Sequence, residues 1–371
     1  MRERNKKGLP DIIIFVTTLA LLGIGIIMVF SSSSVMAYHE VGDAYFYLKR
    51  QALWAVMGLV ALVTLMNIDY RVWKKFSVVA IVGVIALLTL VLIPGIGVVV
   101  GGARRWIGAG SFRIQPSEFA KMGLILFISS YMSAIGDKVK SFKVGILPPM
   151  IVTGIICLLI LKEPDLGTVI AVAGIAFVMI FMAGCNIWHL AGLCSLAIPA
   201  VVYLVVAEPY RLRRLLAFLN PWQDPLDSGF HIIQSLLALG SGGLLGLGLG
   251  MSRQKFHYLP EQHTDFIFAI IGEELGFIGA AGVVLLYVVL AWRGYRVAVN
   301  CKDKFGSLMA AGITTMIVLQ AIINLGVVSG LLPVTGITLP LISSGGSSLL
   351  PMLASIGILL NISRSVNAEK K

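Results

Sequence analysis

Charged residues are scarce in this chain of 371 residues: Asp, Glu, Lys and Arg together make up 13% of it, and only 18 residues are acidic. The surface of a soluble domain of this size carries more charge than that, so the composition excludes such a domain. Cysteines are also few. The four of them show neither metal-ligand spacing nor a pairing pattern, so the sequence predicts neither disulfides nor a cysteine metal site.

Common enzyme signatures are missing as well. His257 and His263 have no nucleophile at a recognisable spacing, which argues against a Ser–His–Asp triad. The glycine-rich run near residue 245 contains no GK[ST] sequence, so it does not match a phosphate-binding loop. No repeat of about 20–50 residues is visible.

Apolar sequence is what the chain has in abundance. Hydrophobic residues make up 58% of it, and the mean hydropathy is +0.93. Repeated apolar runs approach the ~20 residues needed to cross a bilayer, which predicts a polytopic helical membrane protein. Ten spans are predicted, at about 12–32, 51–68, 76–98, 117–135, 144–161, 166–184, 188–207, 266–292, 306–330 and 349–363. The first follows a basic segment but is long and lacks a convincing cleavage site, so we expect it to be retained.

The distribution of basic residues predicts the orientation. An even number of spans puts both termini on one side, and most basic residues fall on that side, which the positive-inside rule makes the cytoplasm. They are the N-terminal RERNKK segment, Arg71, Lys74, Lys75, Lys138, Lys140, Lys143, Arg293, Arg296, Lys302, Lys304, Arg364, Lys370 and Lys371. The net charge of +11 is spread over short loops, so we expect anionic membrane lipids rather than nucleic acid as its partner.

A second set of basic residues falls on the opposite side, where few are expected. It consists of Lys49, Arg50, Arg104, Arg105, Arg113, Lys162, Arg211, Arg213, Arg214, Arg253 and Lys255. Either an anionic ligand on the outer face or contact with lipid phosphates would explain this set.

The predicted fold is an all-α polytopic membrane protein with ten transmembrane helices, in which residues 1–371 form a single integral membrane domain. Both termini are expected in the cytoplasm. The largest loop, at about 208–264 between the seventh and eighth spans, is expected outside and is too short for a catalytic domain with its own core. Within it, PYRLRRLLAFLNPW predicts a basic amphipathic helix on the membrane surface, and the glycine-rich run after it predicts a flexible or re-entrant segment.

The segment EQHTDFIFAIIGEELG brings four acidic residues next to or into an apolar run. A carboxylate near a membrane span is a functional candidate, because it is costly there unless it is paired, hydrated or used. Asp265 fits either a helix N-cap or a catalytic group. Glu273 and Glu274 would lie ~12 Å deeper on a helix, and we expect them to support helix packing or a water-filled cavity.

Three further polar clusters lie at the outer ends of spans. Arg104 and Arg105 occupy a glycine-rich loop that we expect to be flexible. Glu118 and Lys121 follow at i, i+3 spacing, so they could form a buried structural pair, or Lys121 could bind an anionic substrate group. Asp165 in KEPDLGT begins a helix, where an acid is favoured by the helix dipole alone.

The last cluster, LPVTGITLPLISSGGSSLLP, adds hydroxyl groups and irregular backbone before the final span. Irregular backbone at membrane depth is tolerated only where it is buried in protein or lines a cavity. Ser343 and Ser347 are candidate substrate-binding residues here, although Ser347 or Ser348 could simply cap the last helix. Together the clusters predict an outward-facing polar cavity suited to a lipid-linked diphosphate.

The motifs ARRWIG, QPSEFAK, EPDLGT, TDFIFAIIGEELG and LPLISSGGSS stand in an order and at a spacing that resemble those of the SEDS family, the shape, elongation, division and sporulation proteins. The resemblance covers nearly the whole chain. It implies a peptidoglycan glycosyltransferase that polymerises lipid II on the outer face of the bacterial cytoplasmic membrane and works with a class B penicillin-binding protein. Members serve elongation, division or sporulation.

The resemblance also implies roles for residues. Asp265 matches the acid regarded as essential in the family, and Arg104, Arg105, Glu118, Lys121 and Asp165 match positions of its central cavity. No dedicated metal cage is recognisable, so a divalent cation, Mg²⁺ or Mn²⁺, is an optional cofactor. Two other functions fit a polytopic protein with a polar cavity: a lipid II flippase and a structural anchor that recruits the crosslinking enzyme.

Overall fold

A computed structural model describes residues 8–100, 102–109, 112–254 and 261–369. Several of the basic residues and one of the histidines named above lie outside these ranges: the N-terminal RERNKK segment, Lys255, His257, Lys370 and Lys371.

Twelve α-helices make up most of the described chain. The first seven are α1 (Ile12–Val41), α2 (Phe46–Asn67), α3 (Val72–Leu92), α4 (Pro116–Ile135), α5 (Leu147–Leu161), α6 (Leu166–Met182) and α7 (Ile187–Val206). Two short helices follow, α8 (Pro209–Leu219) and α9 (Phe230–Ser241), and then α10 (Ile267–Asn300), α11 (Lys304–Val328) and α12 (Gly346–Glu369).

Ten of these helices coincide with the ten predicted spans. Within the described residues, nine are long and apolar enough to cross a membrane. The tenth, α6, is apolar along its whole length but has 17 residues. The chain is therefore mostly helical with nine candidate spans, which confirms the predicted class in its main outline.

A small antiparallel sheet departs from the all-α prediction. It consists of β1 (Gly97–Val100), β2 (Ala103–Ala109) and β3 (Phe112–Ile114), in that order. The predicted third span was too long at its end, because α3 stops at Leu92 and Pro94 follows, where a proline cannot continue a helix. The loop that we expected to be flexible is thus a paired strand.

The core lies along α11 and α12, whose residues are mostly buried. Helix α12 packs closely on α2. A Cβ added to Gly58 would lie 2.4 Å from a methyl carbon of Leu353, and one added to Gly357 would lie 2.5 Å from the carbonyl oxygen of Leu62. Small residues at the contact allow the two backbones to approach, as is common between membrane helices.

The first and last described segments of the chain meet at one end of the bundle, which we call the terminal end. Asp11 caps α1 by accepting from the backbone N–H of Ile14 at 3.2 Å, and its carboxylate also accepts from Arg293 Nε at 3.1 Å. Its own N–H donates to Ser363 Oγ at 2.9 Å, and Arg364 donates to the carbonyl of Gly8 at 3.1 Å. These contacts join the two ends of the chain to the end of α10.

Helix α7 stands apart from the other long helices, since Leu190 is its only buried residue among those described. It leads into α8, where the predicted amphipathic helix is confirmed: basic residues lie among apolar ones over Pro209–Leu219.

Helix α10 is broken at Gly276, where φ is 66° and ψ is −169°. Only glycine adopts this conformation readily. The break lets the glycine-rich run pair with α10: Phe277 N–H donates to the Gly243 carbonyl at 2.9 Å, and Leu247 N–H donates to the Glu273 carbonyl at 3.0 Å. The run predicted as flexible or re-entrant is therefore held by backbone hydrogen bonds against α10.

We predict that Gly276→Ala destabilises the protein. Its Cβ would lie 2.3 Å from the nitrogen of Gly246, in a backbone conformation that alanine disfavours. Thermal unfolding in detergent should show a loss of about 1–3 kcal/mol. Gly282→Ala, in the same helix with nothing within 4 Å of the new Cβ, is the matched control and should be neutral or slightly stabilising. Equal melting temperatures for the two variants would contradict the proposed role of the break.

Candidate functional site

A polar cavity of about 470 Å³ lies at the end of the bundle opposite the terminal end. Its wall is formed by the first turns of α4 and α6, strand β2, the junction of α7 and α8, the turn before α10, part of α11, and the irregular segment 333–348. Five of the residues predicted from the sequence line it: Arg105, Glu118, Lys121, Asp165 and Asp265.

Asp265 lies in the turn before α10. It is not the helix cap, because α10 begins at Ile267 and the residue at the cap position, Phe266, makes no side-chain hydrogen bond to the helix. The backbone of Asp265 is held by Asn324, whose Nδ2 donates to its carbonyl at 2.7 Å. Its Oδ2 faces Gly336, where an added Cβ would lie 3.6 Å away. The carboxylate is thus directed at the cavity rather than at the helix.

The surroundings of Asp265 shift its ionisation toward neutral pH. The pKa of Asp265 is raised to about 7, chiefly by burial and in addition by the carboxylates of Glu261 and Asp165, against the opposing effect of the guanidinium groups of Arg214 and Arg105. A carboxyl group with a pKa near the operating pH can both accept and release a proton, which is the property that a general base needs.

Arg105 is held by the turn that precedes α6. Its Nε donates to the carbonyl of Glu163 at 2.8 Å, and its Nη1 lies 3.6 Å from Asp165 Oδ2. Asp165 also caps α6 by accepting from Thr168 N–H at 3.0 Å. The helix-start interpretation of Asp165 and its place in the cavity are therefore both correct, since one oxygen caps the helix and the other faces Arg105.

Arg104 does not line the cavity with its neighbour. Successive side chains of a strand point to opposite faces, and Arg104 in β2 turns toward α3, where Nη1 donates to the carbonyl of Leu92 at 3.2 Å. The expectation that Arg104 and Arg105 both belong to the central cavity therefore holds for Arg105 and is corrected for Arg104.

Lys121 and Glu118 form the predicted ion pair. Lys121 Nζ lies 2.7 Å from Glu118 Oε1, and only 3% of the lysine side chain is exposed. Both residues line the cavity, so the structural pair and the cavity position coexist. Because the ammonium is already neutralised, it adds less positive potential to the cavity than an unpaired lysine would.

Ser343 and Ser347 use their hydroxyl groups on backbone rather than on the cavity. Ser343 Oγ donates to the Thr264 carbonyl at 2.6 Å, and Ser347 Oγ accepts from the N–H of Gln115 at 2.6 Å. Both are buried, and the cavity is lined instead by Ser344 and Ser348.

Glu273 and Glu274 lie outside the cavity and bind the chain that follows the glycine-rich run. Glu273 Oε1 accepts from Arg253 N–H at 2.9 Å, and Glu274 Oε1 accepts from Ser252 N–H at 3.3 Å and from Ser31 Oγ at 2.8 Å. These contacts place both acids in the packing of α1, α10 and the loop before α10.

Among the polar lining residues that sequence reasoning did not assign to the cavity are three on α8 and one on α11. Tyr210, Arg211 and Arg214 lie on α8, and Gln320 lies on α11. The arginines had been placed on the outer side by charge alone, but only the packing of α8 brings them to the cavity. A glutamine within an apolar span was the signal for the fourth, because polar side chains between membrane helices usually bond to a neighbour.

No group of three or more His, Cys, Asp or Glu close enough to hold a metal ion occurs in the described ranges. The carboxylates of Asp165, Glu261 and Asp265 share the cavity and are oxygen ligands of the kind that Mg²⁺ and Mn²⁺ prefer, so an ion that also binds a phosphate would find partners here.

Comparison with known proteins identifies the family. Residues 12–368 match the model of the FtsW/RodA/SpoVE family, described as cell cycle proteins. The chain belongs to the FtsW/RodA/SpoVE family. This confirms the resemblance seen in the motifs, since these are the SEDS proteins.

Two curated relatives are similar over nearly their whole length. The chain is 51% identical over 360 residues to Stage V sporulation protein E of Bacillus subtilis (strain 168), covering 97% of this chain and 98% of that protein. It is 45% identical over 353 residues to a probable peptidoglycan glycosyltransferase FtsW of Geobacter sp. (strain M18), covering 95% and 96%.

Solved structures of the FtsW/RodA/SpoVE family share the fold. One is described as showing the structural coordination of polymerization and crosslinking by a peptidoglycan synthase complex, with a TM-score of 0.79, 32% identity, and coverage of 96% of this chain and 98% of that one. Another is the Rod shape determining protein RodA of Thermus thermophilus, with a TM-score of 0.70, 29% identity, and coverage of 96% and 97%.

Glu163, beside the cavity of this FtsW/RodA/SpoVE member, is fully buried. Neither of its carboxyl oxygens has a hydrogen-bond partner in the described part of the chain. The pKa of Glu163 is raised to about 8, chiefly by burial and in addition by the Asp165 carboxylate, against the opposing effect of Arg105. The side chain is therefore mostly neutral at pH 7, and its ionisation would cost folding free energy.

We predict that Glu163→Gln becomes stabilising as pH rises. In the unfolded chain the glutamate ionises near its ordinary pKa of about 4.3, so the folded wild type loses relative stability from there up through about pH 8. The melting temperature of the variant should exceed that of the wild type by a margin that grows to several degrees over this window and then stays constant. The control is Glu208→Gln, at an exposed position. The melting-temperature difference between this variant and the wild type should not change with pH. If the difference for Glu163→Gln also did not change with pH, the prediction would be wrong.

Proposed function

We propose that this chain is a peptidoglycan glycosyltransferase that polymerises lipid II into glycan strands on the outer face of the bacterial cytoplasmic membrane. The observation that carries the proposal is the position of Asp265, a carboxyl group with a pKa near 7 in a cavity that arginines also line. The relatives named peptidoglycan glycosyltransferase, which this chain matches over nearly its whole length, support the same activity.

The proposed topology has ten spans and both termini in the cytoplasm. Although α6 has only 17 residues, a helix of that length lies at the short end of the range that can span a bilayer, about 17–25 residues. The meeting of both chain ends at the terminal end supports the even number. The cavity, at the opposite end, then faces the extracytoplasmic side together with the loop at about 208–264, where lipid II would be accessible.

The reaction joins the 4-hydroxyl of a lipid II N-acetylglucosamine to the anomeric carbon of the growing glycan. The hydroxyl oxygen attacks that carbon as its bond to the undecaprenyl diphosphate breaks, and the α-linkage becomes a β-1,4 linkage. One inverting displacement needs one base, so Asp265 accepts the hydroxyl proton while the diphosphate leaves with the bonding electrons. The carboxylate must be ionised before attack, and its pKa of about 7 places a sizeable fraction in that form at neutral pH.

Arginines stabilise the departing diphosphate. Arg105, Arg211 and Arg214 line one side of the cavity, and a guanidinium binds phosphate oxygens in a bidentate manner. Preorganised charges of this kind act where negative charge grows in the transition state. Lys121 contributes to the same field but is paired with Glu118. A divalent cation, when present, would neutralise part of the diphosphate charge.

We further propose a class B penicillin-binding protein as the partner that crosslinks the new strands. The related structure of a synthase complex that coordinates polymerization and crosslinking supports such an assembly. The exposed apolar surfaces of α7 and α10 provide room for a partner helix in the membrane.

We predict that Asp265→Asn abolishes polymerisation. Asparagine keeps the shape of the side chain but cannot accept the proton, and loss of a general base costs roughly 10²–10⁴-fold in rate. The measurement is polymer formation from labelled lipid II in detergent, with a transpeptidase-dead partner present. Asp265→Glu should also be poor, because a longer side chain misplaces the carboxylate.

Asp227→Asn provides the matched control for this loss, since Asp227 is an exposed carboxylate in the same loop and does not line the cavity. It should polymerise like the wild type. Normal polymerisation by Asp265→Asn would refute the assignment of the base. If the wild type made no polymer but moved lipid II across vesicle membranes, the flippase would be the correct function.

We also predict an acidic limb in the pH profile. Because the base must be ionised, kcat/KM for lipid II should rise with pH and level off above about pH 7, the pKa of Asp265. Below this value it should fall about tenfold per pH unit. Polymerisation rates measured between about pH 5.5 and pH 8.5 test this, with folding at each pH followed by thermal unfolding. A rate independent of pH below 7 would argue against proton transfer to Asp265.

A further inference from the structure

Helix α11 carries two side-chain amides on one face. Asn324 and Gln320 are four residues apart, so their Cβ atoms lie ~5–6 Å from each other along the helix. The Nδ2 of Asn324 donates to the carbonyl of Asp265 at 2.7 Å and to that of Ile337 at 2.8 Å. Gln320 therefore lies one helical turn beneath the residue that holds Asp265 in place.

The amide nitrogen of Gln320 has no hydrogen-bond partner in the described part of the protein. Its side chain is 3% exposed and lines the cavity, yet Nε2 has no hydrogen-bond partner within the described residues. A buried amide nitrogen without an acceptor is costly, and such groups are rare unless something else satisfies them. An acceptor atom of a ligand in the cavity would satisfy this one.

The charges of the cavity indicate what kind of acceptor this is. The guanidinium groups of Arg211 and Arg214 supply positive charge, while Lys121 is neutralised by Glu118. Asp165 adds negative charge to the wall formed by α6. A diphosphate is therefore drawn to the arginines, whereas the uncharged amide of Gln320 suits a neutral oxygen. Ala171 and Ile337, which also line the cavity, suit an apolar group next to that oxygen.

We propose that Gln320 donates a hydrogen bond to the acetamido carbonyl of the acceptor sugar, and so selects an N-acetylated sugar. The inference rests on the proposed function, in which the 4-hydroxyl of that sugar faces Asp265. The C2 and C4 substituents of this sugar are both equatorial and separated by a single ring carbon, so they leave the same edge of the ring, and Asp265 and Gln320 line the same cavity. A sugar whose 4-hydroxyl contacts Asp265 thereby brings its acetamido group to Gln320.

The test compares two substrates and two proteins. Lipid II is compared with an analogue in which a hydroxyl replaces the acetamido group of the terminal sugar, and wild type is compared with Gln320→Met, which keeps the length of the side chain but not the amide. The wild type should prefer the natural substrate by about tenfold in kcat/KM, the usual effect of one neutral hydrogen bond. In Gln320→Met the ratio of kcat/KM for lipid II to kcat/KM for the analogue should fall to near one, because the substitution slows the reaction of the natural substrate alone.

Gln51→Met is the control, since Gln51 is also a buried glutamine but donates from Nε2 to the Ser343 carbonyl. Any loss in this variant should be equal for both substrates and leave the preference unchanged. Gln320→Asn keeps the amide but withdraws it by one methylene, so it should weaken the preference for the natural substrate. This variant replaces Gln320→Met in the test if Gln320→Met does not fold.

The proposal is overturned if the wild type uses both substrates equally, or if Gln320→Met retains the wild-type preference or loses the same factor on both substrates. Failure of the proposed function has a different result, namely no polymer from either substrate with the wild-type protein and its partner.

Discussion

One side-chain amide, that of Asn324, joins the parts of the chain on which the cavity depends. From the buried helix α11 it binds the turn that carries Asp265 and the irregular segment that begins at 333. Ser343 adds a second link between the same two segments through the Thr264 carbonyl. Irregular backbone at the membrane is stable only when protein groups form hydrogen bonds with its N–H and carbonyl groups. The cavity therefore keeps its shape only if these bonds form.

The cavity concentrates charge at a cost in stability. Arg105 is oriented by carbonyl groups, and Lys121 by Glu118, so the cations are held in position before a ligand arrives. The carboxyl groups of Glu163 and Asp265 each interact with Asp165 and Arg105, and desolvation raises the pKa of both. Buried groups of this kind lower folding stability, and they are concentrated where function requires them. The well-packed contact between α2 and α12 stabilises the fold without this cost.

The motifs correctly predicted which segments of the chain meet at the cavity. They predicted less well which side chains of those segments line it. Asp265, Asp165 and Lys121 were found because each follows a recognisable boundary between polar loop and apolar span. Arg104 and Arg105 could not be told apart, because the strand that turns them to opposite faces is too short and glycine-rich to show a period. Ser343 was preferred to its neighbour Ser344 without knowledge of the local backbone. The arginines of α8 depend on how that helix packs.

The sequence by itself determined the order of the apolar segments and the family, because hydrophobicity and motif spacing are local properties of the chain. It also indicated which ends of the helices carry polar clusters. Tertiary structure alone decided that α3 gives way to a sheet, that α10 breaks against the glycine-rich run, and that Gln320 and Asp265 line the same cavity. The pKa of Asp265 belongs to this second group, because burial and the distances to Glu261, Asp165, Arg214 and Arg105 exist only in the folded protein.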